Sequence, residues 1–404
     1  MQKKVLIMSA STGGGHNRAA RAIKEELTNK SINGITIDCE IIDSLKIVNG
    51  TMDKLISRGY EKSAKYTPKA WGGVYKLTES SLVSKNEFKD NPLTSLISRK
   101  LKKLVENKKP DLIIGTHPFP MIALSTLKKH SQFYANSELN TFTESIHKYY
   151  KNLNIPPLIT VLTDYTTHSA YIQNEISYYI AGHEYVKELL IEDGIDKDKI
   201  KAYGIPVEKS FLSHRDREIV LSELNLDPNK FTVLLMGGSF GAGSIKDTLA
   251  ELISVDRDFQ IIVITGRNKS LKEKLEKNLA VDEDKINKKI CVLGFTDKMN
   301  DLLASVDILV SKPGGLTTTE SLLKEVPMII PYFIPGQEEE NLDFLSNCGA
   351  SLRTSKKYTL SVLLKVLIDN PSRIEMTKEN IRTIKKLNAS QDIAKLAFDI
   401  LSKD

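Results

Sequence analysis

A strand, a glycine-rich loop and an amphipathic helix occur in this order twice in the chain, once at the start and once in the second half. The first copy is KKVLIMSASTGGGHNRAARAIKEEL over residues 3–27, and the second is FTVLLMGGSFGAGSIKDTLAEL over residues 231–252. A doubly wound parallel sheet begins with this unit, because its first strand turns tightly into a helix that packs back on the sheet. We therefore expect two such domains with a cleft between them.

Short apolar runs alternate with amphipathic stretches through both halves, which is typical of βα units in parallel sheets. The predicted fold class is therefore α/β. The predicted strands are Val5–Met8, Ile35–Ile42, Leu112–Gly115, Leu158–Leu162 and Tyr178–Ala181 in the first half, and Thr232–Met236, Ile261–Thr265, Ile290–Val292, Ile308–Val310 and Met328–Pro331 in the second.

The composition along the chain suggests where the domains end. We expect an N-terminal domain over 1–207, a connector over 208–228, a C-terminal domain over 229–372, and a helical segment over 373–404 that packs back on the first domain. Residues 130–155 are polar and weakly periodic, which indicates an insertion or a mobile loop between two strands.

The cysteines and the apolar runs indicate the compartment. Cys39, Cys291 and Cys348 lie far apart and form no CxxC or Cys/His pattern, so we expect neither a disulfide framework nor a structural zinc site. No apolar run approaches the roughly 18–20 residues that a spanning helix needs, and the N-terminal run is typical of a buried strand rather than a signal peptide. We expect a cytoplasmic protein.

The net charge of +6 is unevenly distributed. Residues 51–109 contain 14 Lys and Arg against 6 Asp and Glu, whereas the rest of the chain contains 43 against 45. This distribution argues against a uniformly basic nucleic-acid coat. It points to one local surface for an anionic partner such as a membrane leaflet.

The two glycine loops have the context of an anion site. Glycines between a strand and a helix let backbone N–H groups approach an anion at the positive helix end. Neither loop is followed by the Lys-Ser/Thr of a P-loop, and neither matches GxGxxG with an acidic residue at the next strand end, so an ATPase and an NAD-dependent dehydrogenase are disfavoured.

Two further loops of the second half carry polar residues after strands. In DILVSKPGGLTTTESLLKEV, Glu320 lies about one helical turn beyond Gly314 and Gly315, where its carboxylate can accept the two hydroxyls of a ribose. The alternative is a solvated helix residue. The loop FIPGQEEEN places Gln337, Glu338 and Asn341 at another carboxyl strand end, where α/β sheets bind ligands.

Two residues are candidates for proton transfer. His16 ends the first glycine loop, and an imidazole with an ordinary pKa near 6.5 accepts a proton at neutral pH. Asp164 follows the strand 158–162 and either orients His16 or is the base itself. His117 and His168 also follow strands, and we expect them to be acceptor-site or structural residues.

Six ordered motifs together resemble one family. They are GGGH at 13–16, TDYTTH at 163–168, GIP at 204–206, MGGSFGAG at 236–243, SKPGGLTTTE at 311–320 and PGQEEEN at 335–341. Their order is similar to that of glycosyltransferase family 28, most closely its diacylglycerol branch of monogalactosyldiacylglycerol synthases and processive diacylglycerol glucosyltransferases. The resemblance implies a GT-B fold of two Rossmann-like domains, a UDP-sugar bound mainly by the C-terminal domain, and a lipid acceptor bound mainly by the N-terminal domain.

The resemblance also implies residue roles. Gly238 and Ser239 approach the diphosphate, Glu320 holds the ribose, and Gln337 and Glu338 contact the sugar hydroxyls. Uracil rests near Arg267 and Phe295. Backbone dipoles suffice for the diphosphate charge, so no metal and no other cofactor is expected. The full set of expected donor-binding residues is Gly14, Gly15, Gly238, Ser239, Arg267, Phe295, Gly314, Gly315, Thr317, Glu320, Gln337, Glu338 and Asn341.

One position departs from the family pattern. Two residues after the proline of the GIP motif the diacylglycerol branch usually has arginine, whereas this chain has Glu208. A phosphate or lipid-headgroup contact at that position is therefore not expected here.

The basic segment mixes cations with aromatic and aliphatic residues, as interfacial surfaces do. In SLISRKLKKLVENKK the residues Leu96, Ile97, Leu101 and Leu104 share one helix face, which either contacts lipid or packs on the sheet. We expect a peripheral protein on the inner face of the cell membrane, with anionic lipids as partners. The residues expected at the acceptor or membrane surface are Trp71, Tyr75, Arg99, Lys100, Lys102, Lys103, His117 and His168.

The expected reaction is inverting transfer of a hexose from a UDP-sugar to the hydroxyl of 1,2-diacylglycerol, with glucose favoured over galactose. A lipid-II-type N-acetylglucosaminyltransferase, a UDP-sugar 2-epimerase on the same fold and a non-catalytic nucleotide-sugar sensor remain alternatives. Nucleic acid is not an expected partner, because no RNA- or DNA-binding motif accompanies the basic segment.

Overall fold

The computed structural model describes residues 1–10, 14–48, 92–135, 148–150, 153–237, 245–281, 284 and 286–403. These residues divide into two compact units. The first contains the described residues up to Glu208 together with the segment from Asn388 onward, and the second contains Lys209–Leu387. Each unit has its own sheet and its own core.

The first unit is built on a seven-stranded sheet in the order β2-β3-β1-β4-β5-β6-β7. All neighbouring strands are parallel except the antiparallel pair β2 and β3. The five strands predicted in this half are present, and β2 and β7 are two-residue additions at the edges. The strands are β1 Gln2–Ser9, β2 Ser31–Ile32, β3 Ile35–Asp43, β4 Leu112–Gly115, β5 Leu158–Val161, β6 Tyr178–Ile180 and β7 Ile200–Lys201.

Helices cover this sheet, and the first of them follows the glycine loop. Its buried face contains Ala19, Ala20, Ile23 and Leu27, as the apolar spacing predicts. Ala20, Ile23 and Leu27 belong to a core cluster that also includes Phe398 of the C-terminal helix. Full burial of each large apolar side chain contributes about 1.5–3 kcal/mol. The helices of this unit are α1 Gly15–Thr28, α2 Ser44–Val48, α3 Pro92–Lys108, α4 Pro118–Ala135, α5 Glu184–Glu192 and, at the end of the chain, α14 Ala389–Leu401.

The second unit repeats the pattern with a fully parallel six-stranded sheet in the order β10-β9-β8-β11-β12-β13. Its five predicted strands are present, and β13 is an edge strand that the sequence analysis did not identify. The elements are β8 Thr232–Met236, α7 Ile245–Ser254, β9 Gln260–Ile264, α8 Lys269–Val281, β10 Ile290–Leu293, α9 Met299–Ala304, β11 Ile308–Val310, α10 Gly315–Leu323, β12 Met328–Ile330, α11 Gln337–Asn347, β13 Ser351–Arg353, α12 Leu360–Asp369 and α13 Pro371–Ile384.

The boundaries between the units differ in two places from those expected. Residues 209–228 of the predicted connector 208–228 belong to the second unit, where α6 (Arg217–Glu223) is anchored by Arg217. That guanidinium donates hydrogen bonds to the carbonyl oxygen of Ser305 at 2.9 Å and to Asp307 at 3.0 Å. The chain returns to the first unit at Asn388 rather than at residue 373, because the intervening helix α13 buries Ile374 and Ile381 in the second unit.

The predicted loop over 130–155 is also partly helical. Helix α4 continues to Ala135, and residues 148–150 are helical, while 136–147 lie outside the described residues. The extension was not predicted because the segment is polar in composition. Aromatic contacts stabilise it, since Tyr134 of α4 stacks on Tyr150 with ring centroids 5.4 Å apart.

Candidate active site

Candidate catalytic residues meet at the carboxyl edge of the first sheet. His16 follows β1, His117 follows β4, and Asp164 follows β5, and these three strands are adjacent and parallel. In the sheet, β1 lies between β3 and β4, and the chain passes from β1 to β3 before it crosses over to β4. The crevice between the loops after β1 and β4 is therefore a topological switch point. Ligands of doubly wound sheets bind at such a point.

Helix α1 fixes the position of His16. Its N-cap is Gly14, which has φ 79°, a left-handed conformation that favours glycine, and the helix starts at Gly15. The glycine turn therefore puts the imidazole in the first turn of the helix, directly over the strand ends.

The hydrogen bonds of His16 assign its tautomer. Nδ1 lies 2.6 Å from the carbonyl oxygen of Thr116. Because a carbonyl oxygen only accepts, Nδ1 carries the hydrogen and donates it. The hydroxyl oxygen of Thr163 is 3.0 Å from the same nitrogen. In the neutral ring, Nε2 therefore keeps the lone pair and is the atom that can accept a proton.

The surroundings keep this ring neutral. Burial lowers the pKa of His16 below its ordinary value, and the negative charge of Asp164 and the hydrogen bond to Thr116 offset part of that shift. Asp164 thus acts on His16 through its charge, while Thr116 and Thr163 contact Nδ1. The result is a base that is unprotonated at neutral pH.

His117 lies against His16, with ring centroids 4.6 Å apart in an edge-to-face arrangement. Its Nδ1 accepts the backbone N–H of Phe119 at 3.3 Å, so in the neutral ring Nε2 carries the hydrogen. Burial, and then the charge of His16, lower the pKa of His117 well below its ordinary value. His117 is therefore a neutral neighbour of the candidate base.

His168 caps a short 3-10 helix. Its Nδ1 accepts the backbone N–H of Ala170 at 3.0 Å at the start of the turn Ser169–Tyr171. Burial lowers the pKa of His168. One ring nitrogen of this histidine therefore has a structural role, and its place in an acceptor site stays a prediction.

Two threonines that contact His16 were not identified from the sequence. Thr116 contributes a backbone carbonyl, and its hydroxyl donates to the backbone carbonyl of His16 at 3.1 Å. Thr163 contributes a hydroxyl that also hydrogen-bonds with the buried Tyr171. The signals for them are their positions just after the apolar strands β4 and β5 and, for Thr163, its place in the motif TDYTTH.

The second unit places its candidate donor residues around the helix α10. Its N-cap is Gly314 and it begins at Gly315, so its first N–H groups lie at the carboxyl end of β11. Glu320 is 2% exposed, so it is not the solvated helix residue of the alternative interpretation. A carboxylate buried to this extent is costly unless it is hydrogen-bonded or paired. Thr317, one turn before it, is half-buried.

The loop after β11 is tied to the helix after β12. The ammonium of Lys312 pairs with the Glu338 carboxylate, and the two side chains are 18% and 13% exposed. The other oxygen of Glu338 accepts the backbone N–H of Ile334 at 2.9 Å. The buried Asn341 donates to the carbonyl of Pro313 at 3.0 Å. Glu338 and Asn341 therefore have fixed orientations, and Gln337 begins the same helix.

Arg267 and Phe295 contact each other at the carboxyl ends of β9 and β10. The guanidinium carbon lies 5.4 Å from the centroid of the Phe295 ring, and that ring is 68% exposed. An exposed ring beside a planar cation is a surface on which a nucleobase can stack. The expected diphosphate residues Gly238 and Ser239 lie outside the described residues.

Comparisons with known proteins extend over both units. The family model described as monogalactosyldiacylglycerol (MGDG) synthase matches residues 16–141 and 138–207, and the model of the glycosyltransferase family 28 C-terminal domain matches residues 232–397. A processive diacylglycerol beta-glucosyltransferase of Staphylococcus aureus (strain JH9) is 30% identical over 349 residues, which are 86% of this chain and 80% of that protein. The chain belongs to the diacylglycerol branch of glycosyltransferase family 28.

Further comparisons agree with this membership. The processive diacylglycerol beta-glucosyltransferase of Bacillus subtilis (strain 168) is 27% identical over 391 residues, 97% of this chain and 94% of that protein. Among solved structures, MurG of Acinetobacter baumannii matches with a TM-score of 0.60 and 15% identity, covering 98% of this chain and 99% of that chain. This likeness confirms the predicted GT-B fold.

The position that departs from the family 28 pattern has a partner in this chain. The carboxylate of Glu208 accepts a hydrogen bond from Arg21 of α1 at 3.3 Å. An arginine is therefore still present beside the GIP motif, supplied by another element.

The basic helix α3 of this family 28 member packs its apolar face on its own domain. Ile97, Leu101 and Val105 are buried, and α3 contacts α4. The expectation that Lys102 presents its charge to lipid is wrong for the described arrangement. Its ammonium pairs with Glu106 at 2.5 Å and lies 4.5 Å from the centroid of the Tyr149 ring, because the helix twist turns it toward that ring.

The other expected membrane residues differ in exposure. Arg99 and Lys103 are exposed, and Lys100, also exposed, donates to the carbonyl oxygen of Ile47 at 2.9 Å. Trp71 and Tyr75 lie outside the described residues.

Within the described part of the chain, no helix combines the length and apolar character that crossing a bilayer requires. The same residues contain no group of three His, Cys, Asp or Glu side chains arranged to hold a metal ion.

Proposed function

We propose that this protein transfers glucose from UDP-glucose to the free hydroxyl of 1,2-diacylglycerol and forms a β-glucosyl diacylglycerol. The observation that carries the proposal is the tautomer of His16, whose Nδ1 donates to Thr116 at 2.6 Å and whose Nε2 therefore keeps its lone pair. Membership of the diacylglycerol branch supports the choice of acceptor, because the relatives of B. subtilis and S. aureus carry that substrate in their names.

The proposed chemistry needs one proton acceptor. Nε2 of His16 takes the hydroxyl proton of the diacylglycerol while the hydroxyl oxygen forms a bond to C1 of the sugar. The bond between C1 and the phosphate oxygen breaks, and UDP leaves with the electron pair. Attack opposite the leaving group converts the α-linked donor into a β-glycoside. General-base assistance of this kind contributes about 10²–10⁴-fold in rate.

Asp164 and Thr116 support His16 in this proposal. Both raise its pKa against the lowering effect of burial, so they stabilise the imidazolium that forms when the proton moves. The arrangement resembles other nucleophile-activating pairs, in which a third group orients the base. The alternative in which Asp164 is itself the base is tested below.

The second unit supplies the donor half of the proposal. The first N–H groups of α10 face the developing charge of the diphosphate, with no metal required, and Glu320 accepts the ribose hydroxyls. Gln337 and Glu338, at the start of α11, form hydrogen bonds with the sugar hydroxyls, and the uracil stacks beside Arg267 and Phe295. Each of these proposed roles is the one that the matching position of the family motifs implies.

The proposed sugar is glucose, because the relatives named above are glucosyltransferases. The protein is proposed to act as a peripheral protein at the inner face of the cell membrane, where its acceptor is dissolved. Anionic lipids are its proposed partners there, since the exposed Arg99 and Lys103 are suited to acidic headgroups.

The decisive experiment supplies both sugars to the same lipid. The purified protein is incubated with diacylglycerol in phosphatidylglycerol-containing vesicles and either UDP-glucose or UDP-galactose, and the lipids are separated by chromatography. We expect a glucolipid with a β anomeric proton by NMR and at least tenfold less product from UDP-galactose. UDP-sugar turned over without any glycolipid would contradict the acceptor, and a galactolipid as the main product would contradict the donor.

A further inference from the structure

Connected aromatic rings lie at the C-terminal end of α4 and in the helical residues 148–150. None of them has a role in the proposed catalysis. We call Phe133, Tyr134, Tyr149 and Tyr150 the aromatic cluster. Tyr134 and Tyr150 stack with centroids 5.4 Å apart and an interplanar angle of 10°. Phe133 meets Tyr134 edge-on at 5.1 Å, and Tyr149 meets Tyr150 edge-on at 4.9 Å. The rings therefore form one contiguous surface element.

The outer rings of the aromatic cluster face solvent. Phe133 is 64% exposed and Tyr149 is 39% exposed. A single exposed ring is common on soluble proteins, whereas adjoining exposed rings that contact each other form a patch and mark an interaction site. The inner rings, Tyr134 and Tyr150, support the outer ones, so the patch is preformed.

Positively charged side chains lie near the aromatic cluster. Lys129 and Lys148 are exposed on the helical segments that carry the rings, whereas the ammonium of Lys102, 4.5 Å from the centroid of the Tyr149 ring, is paired with Glu106. Helix α4 contains no Asp or Glu over residues 118–135, and α3 contains only Glu106 over residues 92–108. The exposed charge of these described segments is therefore mainly positive, which suits an anionic surface and disfavours a second copy of the same face.

We propose that the aromatic cluster is a docking surface for an anionic lipid bilayer. The rings of Phe133 and Tyr149 lie at headgroup depth, and Lys129 and Lys148 contact the lipid phosphates. Aromatic rings favour this depth because they are apolar with a polar edge, and each lysine near an anionic leaflet adds attraction. The inference rests on the proposed function, since an enzyme that modifies diacylglycerol must reach a membrane. It assigns that contact to the end of α4, a region outside the basic segment of residues 51–109.

The test compares vesicle binding of the double variant Phe133→Ala/Tyr149→Ala with the wild type. Sedimentation with vesicles of phosphatidylcholine and 30% phosphatidylglycerol is expected to give at least tenfold weaker binding for the variant. The control is Tyr358→Ala in the second unit, because Tyr358 is 64% exposed, the same fraction as Phe133. We expect the control to bind like the wild type. Pure phosphatidylcholine vesicles should bind the wild type much more weakly.

A charge variant tests the other half of the surface. Lys129→Gln/Lys148→Gln is expected to lower binding to the anionic vesicles several-fold and to reduce its salt dependence. Thermal melting of each variant checks that the fold is intact. Unchanged vesicle binding in both double variants would overturn the proposal.

Activity measurements separate this inference from the proposed function. With diacylglycerol in anionic vesicles the aromatic variant is expected to lose at least tenfold in rate, whereas with dioctanoyl glycerol in detergent micelles its rate should match the wild type. Vesicle binding that depends on the rings, without glycolipid from any acceptor, would support the surface and contradict the function. Glycolipid formation together with vesicle binding that does not depend on the rings would support the function and contradict the surface.

Other occupants predict other outcomes. If the rings join two copies of the chain, sedimentation velocity would show a dimer that the aromatic variant dissociates. If they stack on nucleobases, the variant would lose affinity for a fluorescent single-stranded oligonucleotide rather than for vesicles. Either result would overturn the lipid assignment.

Discussion

His16 donates its Nδ1 hydrogen to the carbonyl oxygen of Thr116 across 2.6 Å, and this single contact fixes the tautomer of the candidate base. The two residues are 100 positions apart in the chain but follow adjacent parallel strands. A side-chain acceptor could rotate away or change its protonation, whereas a backbone carbonyl does neither. The lone pair on Nε2 is therefore a consequence of the sheet topology.

Removal of the imidazole is expected to abolish transfer without loss of the donor site. His16→Ala should lower kcat by about 10²–10⁴-fold, the usual contribution of a general base, because no other group then holds a lone pair at that position. Glycolipid formation and UDP binding by calorimetry are the two measurements. UDP affinity should stay within a factor of two of the wild type. A variant with normal kcat would exclude His16 as the base.

The hydroxyl of Thr163 is expected to contribute to the rate but not to the affinity for substrates. It lies 3.0 Å from His16 Nδ1. A hydrogen bond contributes about 0.5–1.5 kcal/mol, which corresponds to roughly a 2- to 12-fold loss of kcat in Thr163→Val. Steady-state kinetics should show little change in KM, and Thr163→Ser should restore the rate. Equal losses in the valine and serine variants would assign Thr163 to packing instead.

The pH dependence of kcat/KM is expected to reflect the lowered pKa of His16. A base must be unprotonated to act, so activity falls on the acid side, and burial moves that limb below pH 6.5. The charge of Asp164 raises this pKa, so Asp164→Asn should shift the limb to still lower pH. This outcome also separates the two candidates for the base. If Asp164 is the base, the variant would instead lose about 10²-fold or more in kcat at every pH.

The sequence predicts the strands and the position of His16 well, but it does not predict the contacts that fix the tautomer of this candidate base. The runs Leu112–Gly115, Thr232–Met236 and Ile308–Val310 are predominantly apolar, and the strands form with those bounds. His16 is predictable because the glycine turn and the helix are adjacent to it in the chain. The contacts of Thr116 and Thr163 are not, because the two threonines reach His16 only after three strands have paired.

The same distinction applies to the surface residues. The amphipathic pattern of α3 predicts a helix, and α3 is a helix, but the pattern cannot say whether lipid or protein covers the apolar face. In the structure α4 contacts α3, and Lys102 pairs with Glu106. Likewise, residues 130–135 look like a polar loop, because the contact that holds the helix end together joins Tyr134 to Tyr150, which is distant from it in the sequence.

The half-buried ion pair of Lys312 and Glu338 is expected to stabilise the second unit together with its donor loop. Lys312→Met removes the cation from a carboxylate whose side chain is 13% exposed, and loss of one partner of such a pair should lower the free energy of unfolding by about 1–3 kcal/mol. The KM for UDP-glucose should rise, since Glu338 is then held only by Ile334. Denaturant unfolding and kinetics are the measurements.

A matched pair on the surface supplies the control for that prediction. Lys378 and Glu375 lie 3.0 Å apart on α13, and the glutamate side chain is 61% exposed. Lys378→Met should change stability by no more than about 0.5 kcal/mol. The double variant Lys312→Met/Glu338→Gln should recover part of the lost stability. If the double variant instead loses the sum of the losses of Lys312→Met and Glu338→Gln, the ion pair makes no contribution.

His117 is expected to make the stability of the first unit depend on pH. Its pKa in the folded protein lies well below the ordinary 6.5 of the unfolded chain because burial disfavours the charged ring. The unfolded state therefore binds the proton first, and the stabilisation, which is complete above pH 6.5, is lost as the pH falls toward the folded pKa. Thermal melting of His117→Gln should show a flatter dependence between pH 7 and 5 than the wild type. Parallel curves for the two proteins would assign the acid sensitivity to other groups.

Glu320 is expected to recognise the ribose, and nucleotides that differ at one hydroxyl test this directly. Its carboxylate is 2% exposed on α10, so a substitution of the same shape, Glu320→Gln, changes its charge with little change in packing. Hydrogen bonds to a charged group contribute about 1.5–3 kcal/mol, so the wild type should bind UDP about 10- to 150-fold more tightly than 2′-deoxy-UDP. The variant should lose most of this preference, with UDP affinity falling toward that of the deoxy compound. Glu273→Gln, an exposed substitution on α8, should leave both affinities unchanged. Equal UDP and 2′-deoxy-UDP affinities in the wild type would show that Glu320 does not contact the 2′-hydroxyl.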